Sequence, residues 1–197
     1  MNLHIILGDK NPELIAAWES AFAGVTNITI RGGNILLVEA DALVSPANSF
    51  GFMDGGLDWS ISEMLDWKIQ PIVQKVIRKM HAGELLVGEA EIVRTGSERF
   101  PYLVCAPTMR VPQNVADTVN AFLATRAIFL ATNKFNVQNA GGIKSVAIPG
   151  LCTGVGRMPY ERCAQQMRAA YDLVCGHSSN HYRTLREAIA EEKKYKA

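Results

Sequence analysis

The sequence predicts an α/β protein with one mixed, mostly parallel sheet covered on both faces. Three observations carry this. Short apolar runs of strand length (Leu3–Leu7, Ala42-Leu43-Val44, Tyr102–Ala106, Ser145–Ile148) alternate with longer stretches of helical period. Those runs are apolar almost throughout, broken only by His4 and Ser145, rather than at every second residue, as strands buried on both faces are. Three of them end in proline, at Pro46, Pro107 and Pro149, which has no N–H for a ladder.

The elements follow in order. Leu3–Leu7 reads as a strand. Asn11-Pro12-Glu13 is a helix start, with Asn as N-cap, Pro in the first turn and an acid behind it. That helix keeps Leu14, Ile15, Trp18 and Phe22 on one face and stops at Gly24. Val25–Arg31 alternates as a second strand, Gly32-Gly33 turns, and Asn34–Val38 is a short element. After the central strand, Leu57–Trp67 and Pro71–His81 carry apolar residues at helical spacing. Glu89–Arg94 alternates as a strand, Gly96–Arg99 turns, and Tyr102–Ala106 is buried. Asn114 or Asp117 caps a long helix to about Phe135, and Gly141-Gly142 breaks it. Ser145–Ile148 is a strand, and Pro149–Met158 is a glycine-rich loop. Pro159 opens a helix to about Val174, Gly176–Asn180 is a polar turn, and 181–196 is a charged surface helix. No repeat, linker or low-complexity tract divides the 197 residues, so a single domain is expected.

Composition narrows the function classes. Hydrophobic residues make up 48% and charged residues 20%, and 20 basic against 19 acidic residues leave +1. No broad attraction to nucleic acid follows from that balance. No apolar run approaches the ~20 residues a membrane span needs, and the first residues do not read as a signal peptide. Cys105, Cys152, Cys163 and Cys175 are widely spaced and fit reduced thiols. A cytoplasmic protein is expected.

In such sheets ligands bind outside the carboxyl ends of the strands. Three loops fall there: Asn48–Gly56, Pro107–Pro112 and Gly150–Met158. The first runs Ser45-Pro46-Ala47-Asn48-Ser49-Phe50-Gly51-Phe52-Met53-Asp54-Gly55-Gly56-Leu57-Asp58 into a helix, and its glycines can aim backbone N–H groups at an anion. The last runs Gly150-Leu151-Cys152-Thr153-Gly154-Val155-Gly156-Arg157-Met158. Thr153 adds a hydroxyl, and Gly154 and Gly156 permit close backbone approach. Facing each other, the two loops would cradle a diphosphate on backbone donors. Neither has the Gly-Lys-Ser/Thr of a Walker loop or the spacing of a Rossmann fingerprint.

The two loops, in this order and spacing, resemble a macro domain from about Ile30 to Val174. The resemblance implies a three-layer α/β/α fold that binds ADP-ribose in a cleft over the carboxyl edge of the sheet. It implies that Asn48 reaches the distal ribose, and that Gly55, Gly56 and Leu57 approach the diphosphate and that ribose. Thr153, Gly154, Val155 and Gly156 match the second phosphate loop. Asp58 matches the aspartate that hydrolytic members use near the scissile ribose, which makes Asn48 and Asp58 the expected catalytic pair. Asn34 and Ile35 stand where the family has Asp-Ile at the adenine. Asn34 could still accept from the adenine amine, without charge. An aromatic often found at the place of Gly156 is missing, so stacking falls to Phe50, Phe52 or Trp59; a frequent histidine is Ser62 here.

Two functions remain open: hydrolysis of an ADP-ribosyl ester (de-ADP-ribosylation or O-acetyl-ADP-ribose deacetylation), or ADP-ribose or nucleotide binding without turnover. No cofactor or metal is implied. His177 and His181 have helical metal-ligand spacing but sit in a turn with no third ligand near. Cys152 has no evident base, Arg110 reads as a solvated loop residue, and the C-terminal cations are partly matched by Glu187, Glu191 and Glu192.

Overall fold

The computed structural model describes residues 3–140, 142–176 and 182–196. Six strands form one sheet: β1 (His4–Asp9), β2 (Ile28–Gly32), β3 (Ala42–Ser45), β4 (Glu91–Arg94), β5 (Tyr102–Cys105) and β6 (Ser145–Ile148). The spatial order is β2-β1-β6-β3-β5-β4, parallel except for β4, which pairs antiparallel to β5. Six helices accompany it: α1 (Pro12–Ala21), α2 (Gly56–Met64), α3 (Ile69–Met80), α4 (Asn120–Gln138), α5 (Tyr160–Val174) and α6 (Leu185–Lys196).

The alternation of side chains along each strand divides the core in two. Ala42, Val44, Val104, Val146 and Ile148 face α1, α4 and α5, packing with Trp18, Ile128, Phe129 and Met167. Leu43, Leu103, Cys105 and Ala147 face the other way, onto Ile61 of α2 and Ile69, Val73 and Ile77 of α3. The result is a three-layer α/β/α domain.

α1 begins as its sequence dictates: Asn11 Oδ1 accepts from the Glu13 and Leu14 N–H groups, and Pro12 opens the helix. Other boundaries differ for identifiable reasons. Val25 turns back by donating its N–H to the Phe22 carbonyl, so β2 starts only at Ile28. Pro71 sits in the first turn of α3, where its missing N–H costs nothing, so the helix opens earlier, at Ile69. Asn114 caps a turn through the Ala116 N–H, and the Val115 N–H bonds to the Gly156 carbonyl; α4 therefore starts at Asn120. Pro46 does not end the β3–β5 association. Thr108 donates its N–H to Ala47 O, Ser49 its N–H to Arg110 O, and Asn48 bridges Met109. The two loops leaving these strands thus run side by side.

The expected helix from His181 starts at Leu185. His177, His181 and most of the expected polar turn lie outside the described residues, as does Gly141. Among the described residues, no helix is long and apolar enough to cross a membrane.

Candidate functional site

The parallel strands β2, β1, β6, β3 and β5 end on one edge, which brings the expected site residues to the same rim. β6 pairs with β3 through Ala42 and Leu43, so the loops that follow these two strands are neighbours.

The loop after β3 is organised by Asn48. Its Oδ1 accepts from the Phe50 N–H (3.1 Å) and the Phe52 N–H (3.3 Å), and its Nδ2 donates to Phe52 O (2.8 Å). The side chain is half-buried and largely engaged by its own loop, with one Nδ2 hydrogen left over. Gly51 belongs to packing, not to the ligand. At φ +69° a Cβ there would lie 2.8 Å from Val73 Cγ1 and 2.9 Å from Ile77 Cδ1. Gly55 and Gly56 are different. A Cβ at either meets nothing within 4 Å, Gly56 has φ +56°, and α2 begins here with no side-chain cap. The first N–H groups of α2 thus have no side-chain cap and adjoin open surface, the arrangement that suits an anion.

Asp58, expected near the scissile ribose, is not on the open surface of this loop. It lies in the first turn of α2 and is turned inward, 8% exposed, against the end of β3. Ser45 Oγ donates to its Oδ1 at 2.6 Å. Among the described residues that is the carboxylate's one hydrogen-bond partner, and Oδ2 has none. Burial pushes the carboxyl from an ordinary 3.8 up to about 6; the Ser45 hydrogen bond pulls it down, and the charge of Asp54 adds a smaller upward push. The group thus holds or releases a proton near neutral pH. Leu57, beside it, packs partly buried on the same core layer as Ile35.

The loop after β6 is tightly wound. Cys152 (φ +66°) and Arg157 (φ +55°) are left-handed without being glycine. A Cβ on Gly150 would crowd Leu14 Cδ2 and Thr153 Oγ1, each at 2.6 Å, and Asp9 Oδ2. Gly156 is buried: a Cβ would collide with the Cys152 carbonyl oxygen and lie 2.8 Å from Val115 Cγ2. The β5–α4 loop thus packs on the side of Gly156 where a side chain would stand, which by itself demands glycine there. Gly154 and Val155 are the exposed members of this loop, and Thr153 is half-buried.

At the far end of the rim, Asn34 follows β2 and its Oδ1 accepts from the Leu36 N–H at 3.1 Å, capping a single 3₁₀ turn. Ile35 is buried, close enough to β1 that a Cβ on Gly8 would sit 3.1 Å from its Cγ1. A groove of about 580 Å³ adjoins these two residues, lined also by Ile6, Arg31 and Leu37.

The remaining candidates sort themselves by their partners. Arg110 makes a bidentate pair with Glu84 and lies 5.1 Å over the Phe50 ring, so each already has a partner within the protein. Phe52 is 50% exposed, and Trp59 packs edge-to-face on Trp67 at 4.6 Å. The Cys152 thiol is pushed far up by burial, so it is no thiolate. Three residues escaped the sequence reading. Ser45 holds Asp58. Asp9 accepts from Asn11 and Gly150 N–H groups, tying the exits of β1 and β6. Thr108 donates from Oγ1 to Pro46 O, tying those of β5 and β3. A serine closing the apolar run Ala42-Leu43-Val44 was the one available signal.

Comparison with known proteins agrees with this geometry. The Macro domain family matches residues 44–167, from β3 through both glycine loops into α5. A protein of Aquifex aeolicus described as uncharacterized is 33% identical over 141 residues, 72% of this chain and 78% of its own. Among solved structures, the macrodomain of Mycobacterium tuberculosis DarG superposes with a TM-score of 0.61 at 21% identity, over 73% of this chain and 89% of that one. Thermosipho africanus DarTG in complex with ADP-ribose gives 0.57 at 16% identity, over 83% of this chain and 49% of that one. Such distant structural likenesses speak to the fold; the family match extends across most of it, and the chain belongs to the Macro domain family.

Proposed function

We propose that the protein binds ADP-ribose or a derivative across the carboxyl edge of its sheet and hydrolyses an ADP-ribosyl ester bond. The observation that carries the binding half is the adjacency of two open glycine segments, Gly55-Gly56 at the start of α2 and Gly154 after β6, on paired strands. Backbone N–H groups of these segments would hold the diphosphate. Thr153 and Val155 would flank it, Leu57 and Ile35 would floor the cleft, and Asn34 would meet the base. The remaining Nδ2 hydrogen of Asn48 would reach the distal ribose. The solved complex of Thermosipho africanus DarTG with ADP-ribose supports the choice of ligand.

The hydrolytic half rests on Asp58. A water held at Oδ2 would attack the ester or anomeric carbon. As its oxygen bonds to that carbon, the bond to the attached group breaks. One proton passes to Asp58 and on to the departing oxygen. A carboxyl titrating near 6 is basic enough for this and still ionised at pH 7. The burial of Asp58 also favours a second reading, in which the carboxylate only ties α2 to β3 and the protein binds without turnover. The four free cysteines suit a reducing compartment, and we place the protein in the cytoplasm.

The experiment is to incubate the purified protein with ADP-ribosylated protein, O-acetyl-ADP-ribose and ADP-ribose 1″-phosphate, and to measure free ADP-ribose. Release from any of the three supports hydrolysis. Binding without release from all three supports the second reading.

A further inference from the structure

Two side chains on different elements meet behind the candidate cleft. Ser45 closes β3 and is fully enclosed; Asp58 opens α2 and is nearly so. The hydroxyl has one hydrogen to give, and it gives it to Asp58 Oδ1 at 2.6 Å. An enclosed carboxylate with a single donor is poorly determined unless that donor fixes its rotamer. Among the described residues, those that act on its charge include no cation. Cys105 of β5, register partner of Ser45, is buried beside it; Asp54 lies in the preceding loop; and Glu91 of β4 pairs with Cys105 from the other side. Burial and the charge of Asp54 oppose the ionisation of Asp58. The Ser45 hydrogen bond favours it.

We propose that Ser45 is the positioning residue of this site: by committing Oδ1 of Asp58 it orients the carboxylate so that Oδ2 alone is presented to the ligand. The proposal rests on the reading of Asp58 as the base of the hydrolytic reaction. Ser45 touches neither substrate nor water; it acts through Asp58. The bond is made to the ionised carboxylate, so its loss should favour the protonated form and weaken the base at low pH.

The test compares wild type, Ser45→Ala and Ser45→Thr by three readouts: ADP-ribose affinity, the pH profile of kcat/KM, and the carbon-13 titration of the Asp58 carboxyl. Loss of one hydrogen bond should raise the acid limb of Ser45→Ala by about one pH unit, lowering the rate about 5-fold at pH 6 and hardly at all at pH 8.5. ADP-ribose affinity should stay within about 3-fold, since no contact to the nucleotide is removed. Ser45→Thr keeps the hydroxyl and should restore the limb. A purely structural role would lower the rate equally at every pH, and an unmoved acid limb together with an unmoved carboxyl titration would overturn the proposal. If Ser45→Ala does not fold, Ser45→Cys, a near-isostere with a weak donor, carries the same comparison. Failure of the wild type to bind ADP-ribose would instead remove the functional reading. Binding without turnover would overturn the proposal together with the reading of Asp58 as a base, whatever the carboxyl titration shows.

Discussion

Replacing Asp58 by Asn should make the protein more stable at neutral pH while removing the hydrolysis proposed for it. The carboxyl sits 8% exposed, with Ser45 as its hydrogen-bond donor, and burial lifts it from 3.8 to about 6. A folded-state value above the unfolded one means that the native protein holds a proton which the unfolded chain has already released. The stability from this group is therefore fully present below about pH 3.8 and is lost as pH rises through about 6. At pH 7.5 the ionised, buried carboxylate costs on the order of 3 kcal/mol relative to its neutral form. Asn has the same shape, carries no charge, and can accept the Ser45 hydroxyl through its Oδ1. The expected gain at pH 7.5 is about 2–3 kcal/mol, or roughly 4–12 °C in Tm for a domain of this size. Urea unfolding of wild type and variant at several pH values reads it, because the difference between them cancels the other carboxylates. The gain should shrink toward zero near pH 4. A variant less stable than wild type at pH 7.5, or a gain of the same size at pH 4 and 7.5, would refute the burial argument. In the same variant turnover should fall by roughly 10²–10⁴, with ADP-ribose affinity within a few fold. A functional group kept at a cost in stability is the pattern expected of an active site.

Other perturbations separate the binding surface from its scaffold. Asn48→Ala should weaken ADP-ribose binding and turnover together, because it releases the Phe50–Phe52 backbone as well as removing the proposed ribose donor; intact affinity in calorimetry would remove Asn48 from the site. Asn34→Asp should tighten ADP-ribose by about 1 kcal/mol, through a charge-assisted bond to the adenine amine, and unchanged or weaker affinity would mean that Asn34 does not meet the base. Gly51→Ala should lower stability by about 1–3 kcal/mol, since its Cβ meets Val73 and Ile77 at a left-handed φ. Gly154→Ala, in open space, should leave stability nearly unchanged and lower affinity; equal stability losses at 51 and 154 would contradict the packing described for the two loops.

Much of the fold was legible because the signals were local. Asn11-Pro12 marked the start of α1 to the residue, and the apolar runs at Ala42–Val44, Tyr102 and Ser145 located the inner strands. The pair of glycine loops was legible for the same reason. What the sequence hid depends on contacts between distant residues. Asn114 has the right chemistry for a helix cap, but the Val115 N–H is drawn to Gly156, over forty positions away in the chain, and α4 begins later. Gly51, Gly55, Gly56, Gly154 and Gly156 look alike in sequence; only the neighbours supplied by α3 and the β5–α4 loop separate packing glycines from open ones. Asp58 read as a helix-start acid facing a ligand, and its inward turn onto Ser45 follows from how α2 lies on β3. Asn48 was found by its motif, yet its work within its own loop was not visible there.

The central claim, a nucleotide cleft built on backbone donors rather than cationic side chains, is tested most directly by titration calorimetry with ADP-ribose at low and high salt. One ADP-ribose per chain is expected, with affinity only mildly weakened by salt, because in the proposed cleft the phosphates would meet N–H groups of Gly55-Gly56 and Gly154, while Arg110 is held by Glu84. No heat and no thermal shift at millimolar ADP-ribose would contradict the cleft, and a steep loss of affinity with salt would contradict the backbone cradle.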